Sequence, residues 1–336
     1  MKTCTRCVLP ETFPGIRLED DGDEVDVCQF CRRAPAAEER AGRQASLRVA
    51  FEALVDELRP APGYHCMLSW SGGKDSTYTL GKLCQDYGLR VLAFTFDNGF
   101  ISPGALENMR RVADTLGVDH VIVRPGFRLM KELFTASLQP GMYSSKALER
   151  ASGICSTCMG LAKGLGLRLA LEKKIPVMAY GWSPGQIPTA SAILRPQRKM
   201  LQLMVEAAAT PLNRVSDGQT SLYFPEAHHF EGVKSMPVQV SPLLFLDWKE
   251  EAAVDAIRAY GWQPPDDTDP NSTNCLLNAY ANQAHEKQFG YHAYAMELSG
   301  LVREGYMSRD EALRRLKERP SPEIVAHVAE RLGVDA

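Results

Sequence analysis

The chain has 336 residues, 45% of them hydrophobic and 24% charged, with a formal net charge of -3. That is enough for one large domain or two ordinary ones around a sizeable core, and the slightly acidic balance excludes a surface built throughout to hold nucleic acid. No apolar run approaches the length of a bilayer span, and the start MKTCTRCVLP has no signal-peptide core. The expectation is a cytoplasmic protein with no membrane contact, in a compartment where CxxC pairs more often hold metals or act as catalytic thiols than form disulfides.

Six of the nine cysteines stand in three CxxC pairs. Cys4, Cys7, Cys28 and Cys31 give C-x2-C…C-x2-C, the spacing of a closed, tetrahedral zinc site. The intervening LEDDGDEVD is too acidic and short to fold on its own core, so Zn2+ would supply the missing folding energy. Residues 1–35 are therefore read as a zinc-binding module. Residues 36–62 follow as a helical connector, with Leu47, Val49, Phe51, Leu54, Val55 and Leu58 as its apolar stripe and RPAPG as its stop.

Next comes a strand-like run over 65–70, the turn SGGKDS over 71–76, and a helix burying Leu80, Leu83, Cys84 and Tyr87. Strand, small-residue turn and helix make a phosphate cradle. Gly72 and Gly73 let backbone N–H groups approach an anion, Ser71 and Ser76 add hydroxyls, and Lys74 adds charge. Asp75 suits helix capping or Mg2+. Neither the Walker pattern nor the dinucleotide fingerprint fits this spacing.

The loop resembles the PP-loop of the N-type ATP pyrophosphatases. That resemblance implies ATP cleavage between the α and β phosphates, with AMP placed on an acceptor oxygen. Further strands are expected over 89–97, 120–125 and 175–181, and helices over 104–116 (Leu106, Met109, Val112 and Leu116 inward) and 127–138. Such alternation predicts an α/β fold, a parallel sheet covered by helices on both faces, with ligands at the carboxyl ends of its strands. That edge gathers residues 71–76, Asp97 and Gly181. Asp75 is the first candidate for the magnesium side; Asp97 is a second, or a turn cap. The PP-loop ATP-binding domain is assigned to 63–245 and a helical C-terminal region to 246–336.

Cys155 and Cys158 precede a long helix, and Cys275 stands at a later loop-to-helix junction; Cys66 and Cys84 read as core. Three thiolates could hold three irons of a 4Fe-4S cluster and leave the fourth iron free. A zinc ion or a persulfide relay would use the same residues. The order of zinc knuckles, SGGKDS, CxxC and single cysteine resembles the cluster-dependent tRNA 2-thiouridine synthetases, which implies ATP at residues 71–76 and a cluster at Cys155, Cys158 and Cys275. No cysteine follows Cys275, whereas that class carries a second knuckle pair near its end; a small-molecule acceptor is favoured over tRNA. MKTCTRCVLPETFPGI and FGYHAYAMELSGLVREGYMSRDEALRRL resemble the N-acetyl sugar amidotransferases, which implies ammonia from a partner glutaminase instead of a sulfur donor. A non-catalytic nucleotide-binding module is a third reading.

The remaining signals are weaker. LRPQRKM over 194–200 is a basic patch, and Ser183 and Gln186 could contact a ligand. A short helix is expected over 201–209 and an amphipathic one over 246–262. His228 and His229 lack an evident third metal ligand. Asn274 could cap the helix after Cys275, and Ser308 with Glu311 signals another helix start. The C-terminal helices could support a homodimer or grip a partner.

Overall fold

The computed structural model describes residues 2–268 and 272–335. The segment PPDDTDPNST over 264–273, read from the sequence as a long turn leading to Cys275, therefore lies partly outside the described residues. The first cysteine segment folds as an antiparallel hairpin, β1 (Leu18–Asp21) and β2 (Glu24–Cys28), closed by the single turn α1 (Gln29–Arg32). Its core is made by the four cysteines, Leu9, Phe13 and Val27, together with Tyr291, Ala295 and Met296 from far along the chain. Helix α2 (Ala37–Leu58) buries Phe51, Leu54, Val55 and Leu58, while Val49, counted in its stripe, points to solvent.

Strand β3 (Cys66–Ser69) then enters helix α3 (Lys74–Gly81), which continues as one wider turn over Lys82–Asp86. Strand β4 (Val91–Phe96) leads to α4 (Pro103–Leu116). Ser102 starts α4 by accepting the Ala105 N–H, Pro103 occupies the first helical position, and Gly117 closes the helix at φ +63°. Leu106, expected inward, is partly exposed; Asn108 is buried instead.

After β5 (Asp119–Val123) come α5 (Phe127–Ser137), the short α6 (Ser145–Leu148) and the long α7 (Gly153–Glu172). Strand β6 (Val177–Tyr180), the two-residue β7 (Ile193–Leu194), α8 (Arg198–Val215) and β8 (Val238–Val240) follow. The chain ends in α9 (Glu250–Arg258), α10 (Leu277–Phe289), α11 (Ala295–Glu304), α12 (Arg309–Lys317) and α13 (Pro322–Leu332).

The six strands lie in the order β5-β4-β3-β6-β8-β7, all parallel except edge strand β7. Side-chain alternation decides what each face carries. Cys66, Leu68, Val91 and Ala93 pack beneath α2, α3, α4 and α9. Met67, Leu92, Phe94 and Met178 pack beneath α5, α7, α8, α10 and α13. This is the expected α/β sheet with helices on both faces, with two corrections. The sheet is mixed, because β7 runs antiparallel. Helix α8 is twice the length expected and runs through Pro211, which forgoes one backbone hydrogen bond near the helix end. Helix α9 is correspondingly shorter than the reading of 246–262.

Among the described residues α7 is the one helix long and apolar enough to cross a membrane, which the sequence reading overlooked; half of that stretch is buried in the fold.

Candidate active site

Strand order reverses at β3: the chain runs outward through β4 and β5 on one side and through β6 and β8 on the other. A crevice opens at the carboxyl ends of the strands at such a point, and residues 71–76 sit there. Gly72 adopts φ +78°, and its carbonyl accepts the Trp262 indole N–H at 3.0 Å. A Cβ on Gly181, just past β6, would lie 2.4 Å from Ser76 Cα, so only glycine lets β6 approach the start of α3. The Ser71 and Ser76 hydroxyls are 3.1 Å apart, and Ser76 Oγ donates to the Gly73 carbonyl. The loop SGGKDS, read from the sequence as resembling a PP-loop, thus sits at the carboxyl edge of the sheet, where a phosphate cradle was expected.

A cavity of about 540 Å³ opens above this loop. Ser71, Gly73, Lys74, Asp75, Ser76 and Gly181 line it. Asp75 Oδ1 accepts the Trp248 indole N–H at 3.0 Å, and Oδ2 lies 3.3 Å from Lys74 Nζ. Lys74 also faces Glu250 at 3.4 Å. Burial pushes the Lys74 ammonium down, but Asp75, Glu250 and Glu297 together hold it above its ordinary value. Glu297, on α11, is pushed up to about 7, chiefly by burial.

The thiols line the same cavity. Ser152 caps α7 by accepting the Cys155 N–H, which sets Cys155 in the first turn and Cys158 one turn on. Cys275 arrives from the opposite side. Ile101 and Cys275 form an antiparallel bridge, tightened by Ser102 N–H to the Asn274 carbonyl and Leu276 N–H to the Phe100 carbonyl, each 2.9 Å. Asn274 thus serves through its backbone and not as the expected helix cap; the Ser272 hydroxyl accepts the Cys275 N–H. Asn98 joins the two sides: its amide donates to Cys158 Sγ at 3.4 Å and to Cys275 Sγ at 3.6 Å.

Helix starts favour thiolates, yet burial outweighs that here: Cys155 is pushed up to about 11, and Cys158 and Cys275 are also raised. Among the described residues the side chains gathered tightly enough to hold one metal ion are Cys4, Cys7, Cys28 and Cys31, and the cavity thiols are not in that group.

Cys4, Cys7, Cys28 and Cys31 differ. All four sulfurs lie within 4.8 Å, with Cys4–Cys31 at 3.8 Å and Cys7–Cys28 at 3.7 Å. A tetrahedron of thiolates around one zinc has edges of about 3.8 Å. Hydrogen bonding with Cys28 is the main cause that holds Cys4 and Cys7 below the usual thiol value and Cys31 above it, as crowded thiols compete to ionise. Arg309 donates to the Cys4 and Cys7 carbonyls, so α12 clamps the knuckle.

Other expected residues fall elsewhere. Asp97 does not line the cavity; its Oδ1 accepts the Gly99 N–H at 2.8 Å and its Oδ2 faces Arg124 at 3.5 Å. His229 is engaged by Glu172 and by the Glu226 N–H, away from the cavity. Ser183 and Gln186 do line it, bonded to each other. Sequence reading missed Asn98, Arg150, Lys163, Trp248, Glu250 and Thr273, all cavity residues. Lys163 had a signal: it lies on the α7 face that carries Cys155 and Cys158, and its ammonium sits 5.0 Å above Trp182.

No family model matches the chain. The uncharacterized protein MJ1599 of Methanocaldococcus jannaschii is 23% identical over 333 residues, 98% of this chain and 99% of that protein. Three solved structures show a loose likeness. U34-tRNA thiolase NcsA from Methanococcus maripaludis, with its 4Fe-4S cluster, has TM-score 0.36 and 16% identity, covering 95% of this chain and 90% of that one. NMN synthetase from Francisella tularensis has TM-score 0.36 and 10% identity, covering 90% and 98%. NAD+ synthetase from Burkholderia pseudomallei has TM-score 0.27 and 15% identity, covering 69% and 92%.

Proposed function

We propose that the chain is an ATP-dependent sulfurtransferase: it adenylates an acceptor oxygen, releases pyrophosphate and replaces that oxygen with sulfur. One observation carries this reading. The SGGKDS loop and three thiols, two from α7 and one from the 272–276 segment, converge on one cavity, with Cys158 and Cys275 bonded to the same amide.

In the first step the acceptor oxygen attacks the α-phosphorus, the bond to the bridging oxygen breaks, and pyrophosphate leaves. Backbone N–H groups of residues 72–76 and Lys74 stabilise the leaving charge. Mg2+ would make pyrophosphate a better leaving group, and Asp75 is the carboxylate placed to face it. In the second step a sulfur nucleophile at the level of hydrosulfide attacks the activated carbon. The carbon–oxygen bond breaks, AMP departs with the acceptor's oxygen, and the hydrosulfide proton passes to pyrophosphate or solvent. Cys155, Cys158 and Cys275 would hold a 4Fe-4S cluster, whose fourth iron supplies a coordination position for sulfide. Cys4, Cys7, Cys28 and Cys31 would hold structural Zn2+. A cavity of about 540 Å³ is of small-molecule size, and with the net charge of -3 it favours a small-molecule acceptor over tRNA.

One observation favours nitrogen transfer as the second reading. The two segments that resemble N-acetyl sugar amidotransferases meet in space: α11 carries Glu297 to the cavity and α12 clamps the N-terminal knuckle. A glutaminase partner would then supply ammonia.

The test is anaerobic purification with iron, sulfide and zinc counts. Sulfur transfer predicts broad visible absorbance and about four irons per chain, with both lost in Cys275→Ala while zinc stays. A colourless, iron-free protein that releases AMP with ammonia would favour the nitrogen reading.

A further inference from the structure

Helices of this fold turn their apolar sides to the sheet, and α8 does so with Leu201, Ala209 and Leu212. It also carries an apolar stripe outward. Met200, Leu203 and Met204 are 41%, 52% and 43% exposed, at the i, i+3, i+4 spacing of one helix face. Most of the protein's large exposed apolar residues lie scattered, which is ordinary; three on consecutive turns mark a contact surface.

The charges beside the stripe say what covers it. Arg198 donates to the Val233 carbonyl and Arg195 faces Glu57, so the basic patch read from the sequence is largely engaged. Lys199 and Glu206 have no ion-pair partner among the described residues, and both are exposed. They stand seven residues apart, two turns on the same side of α8, about 10.5 Å along the axis, too far to pair with each other. Their midpoint falls between Gln202 and Leu203, inside the stripe.

We infer that this face of α8 is the interface with a second copy of the chain. Two α8 helices packed antiparallel about a two-fold axis at the stripe's centre bury Met200, Leu203 and Met204 against their counterparts. The same operation sets Lys199 of each copy beside Glu206 of the other, twice. An isologous contact needs this self-complementarity. An anionic partner such as RNA would gain little from a stripe of three apolar side chains with Glu206 at its edge.

Sedimentation velocity on the full chain, in a dilution series downward from about 50 µM that spans the dimer dissociation constant, tests this. The wild type should sediment as a dimer. Leu203→Glu, at a position that packs against nothing in the core, should raise the dimer dissociation constant about 30-fold or more with an unchanged circular dichroism spectrum. Lys199→Glu and Glu206→Lys should each weaken the dimer about tenfold, and the double charge swap should restore it. A monomeric wild type, a Leu203→Glu dimer as tight as the wild type, or a monomer that gains mass only with added RNA each overturns the inference.

Discussion

The protein holds two cysteine groups that share the CxxC spacing and differ in almost everything else. The N-terminal four are drawn to tetrahedral edge distances, are sealed by Leu9, Phe13 and Val27, and do not line the cavity. The other three arrive on α7 and on the 272–276 segment and open onto the cavity. Spacing along the chain thus selects residue chemistry, while the surroundings decide between a closed structural site and an open working one. The hairpin's own core is small, so the zinc proposed at its four cysteines would supply much of its folding energy. The cavity cysteines sit on α7 and on the 272–276 segment, at the margin of a core that other, fully buried residues form.

Paired substitutions would break that contrast most visibly. Cys28→Ser should abolish zinc binding and lower the melting temperature by about 10 °C or more, since metal binding is the folding energy of the hairpin. Damage should spread to α11 and α12, which pack against that hairpin through Met296 and Arg309. Cys155→Ser should leave zinc content intact and change melting by only a few degrees, about 1 kcal/mol, while removing iron and sulfur transfer. Metal analysis with calorimetry on both variants decides it. Equal losses of stability would mean that the two groups do the same work.

Much of this was legible in the sequence. SGGKDS between an apolar run and a helix placed the loop, and paired spacing marked both cysteine groups. The alternation of buried segments gave the doubly covered sheet. Strands β7 and β8 were not legible because two and three residues are too short to show a period. Asn98, Trp248 and Glu250 were not legible either. Each is an ordinary polar or aromatic residue, and only the strand order and the bridge from Ile101 to Cys275 bring them to the loop. Asp97 and Asn98 show the limit sharply. The carboxylate drew the attention, yet it is spent on the Gly99 N–H, while the neighbouring amide reaches the sulfurs.

Asn98 therefore offers a finer test of the open group. Its Oδ1 accepts the Phe100 N–H at 2.8 Å, and Arg331 holds the Gly99 carbonyl at 2.9 Å, so the turn is fixed from both sides. The amide's N–H groups are then directed at Cys158 and Cys275. Asn98→Ala removes two N–H···S contacts and nothing from the four-cysteine site. Iron retention during chelator challenge should fall about tenfold, the usual cost of losing a group that orients a ligand, with zinc content unchanged. Loss of both metals would assign Asn98 a general folding role.

The smallest expected effect is a pH dependence, and its sign separates the groups again. In metal-free protein the Cys155 thiol is raised from about 9 to about 11 by burial. Between those values the unfolded chain has released that proton and the folded one keeps it. The contribution to stability is therefore fully present below pH 9 and is lost as pH rises through 11. Cys7 is displaced the other way, to about 6, so its contribution is present above pH 9 and is lost as pH falls through 6. Denaturation of metal-free wild type and Cys155→Ser across pH 8 to 11 isolates the first effect, because lysines and tyrosines titrate alike in both. The wild type should lose stability more steeply, and parallel curves would mean that the folded cavity does not shield Cys155 from water. A cation bound to the thiolate removes the effect by favouring the ionised form, so reloading with iron should flatten the wild-type curve toward that of the variant.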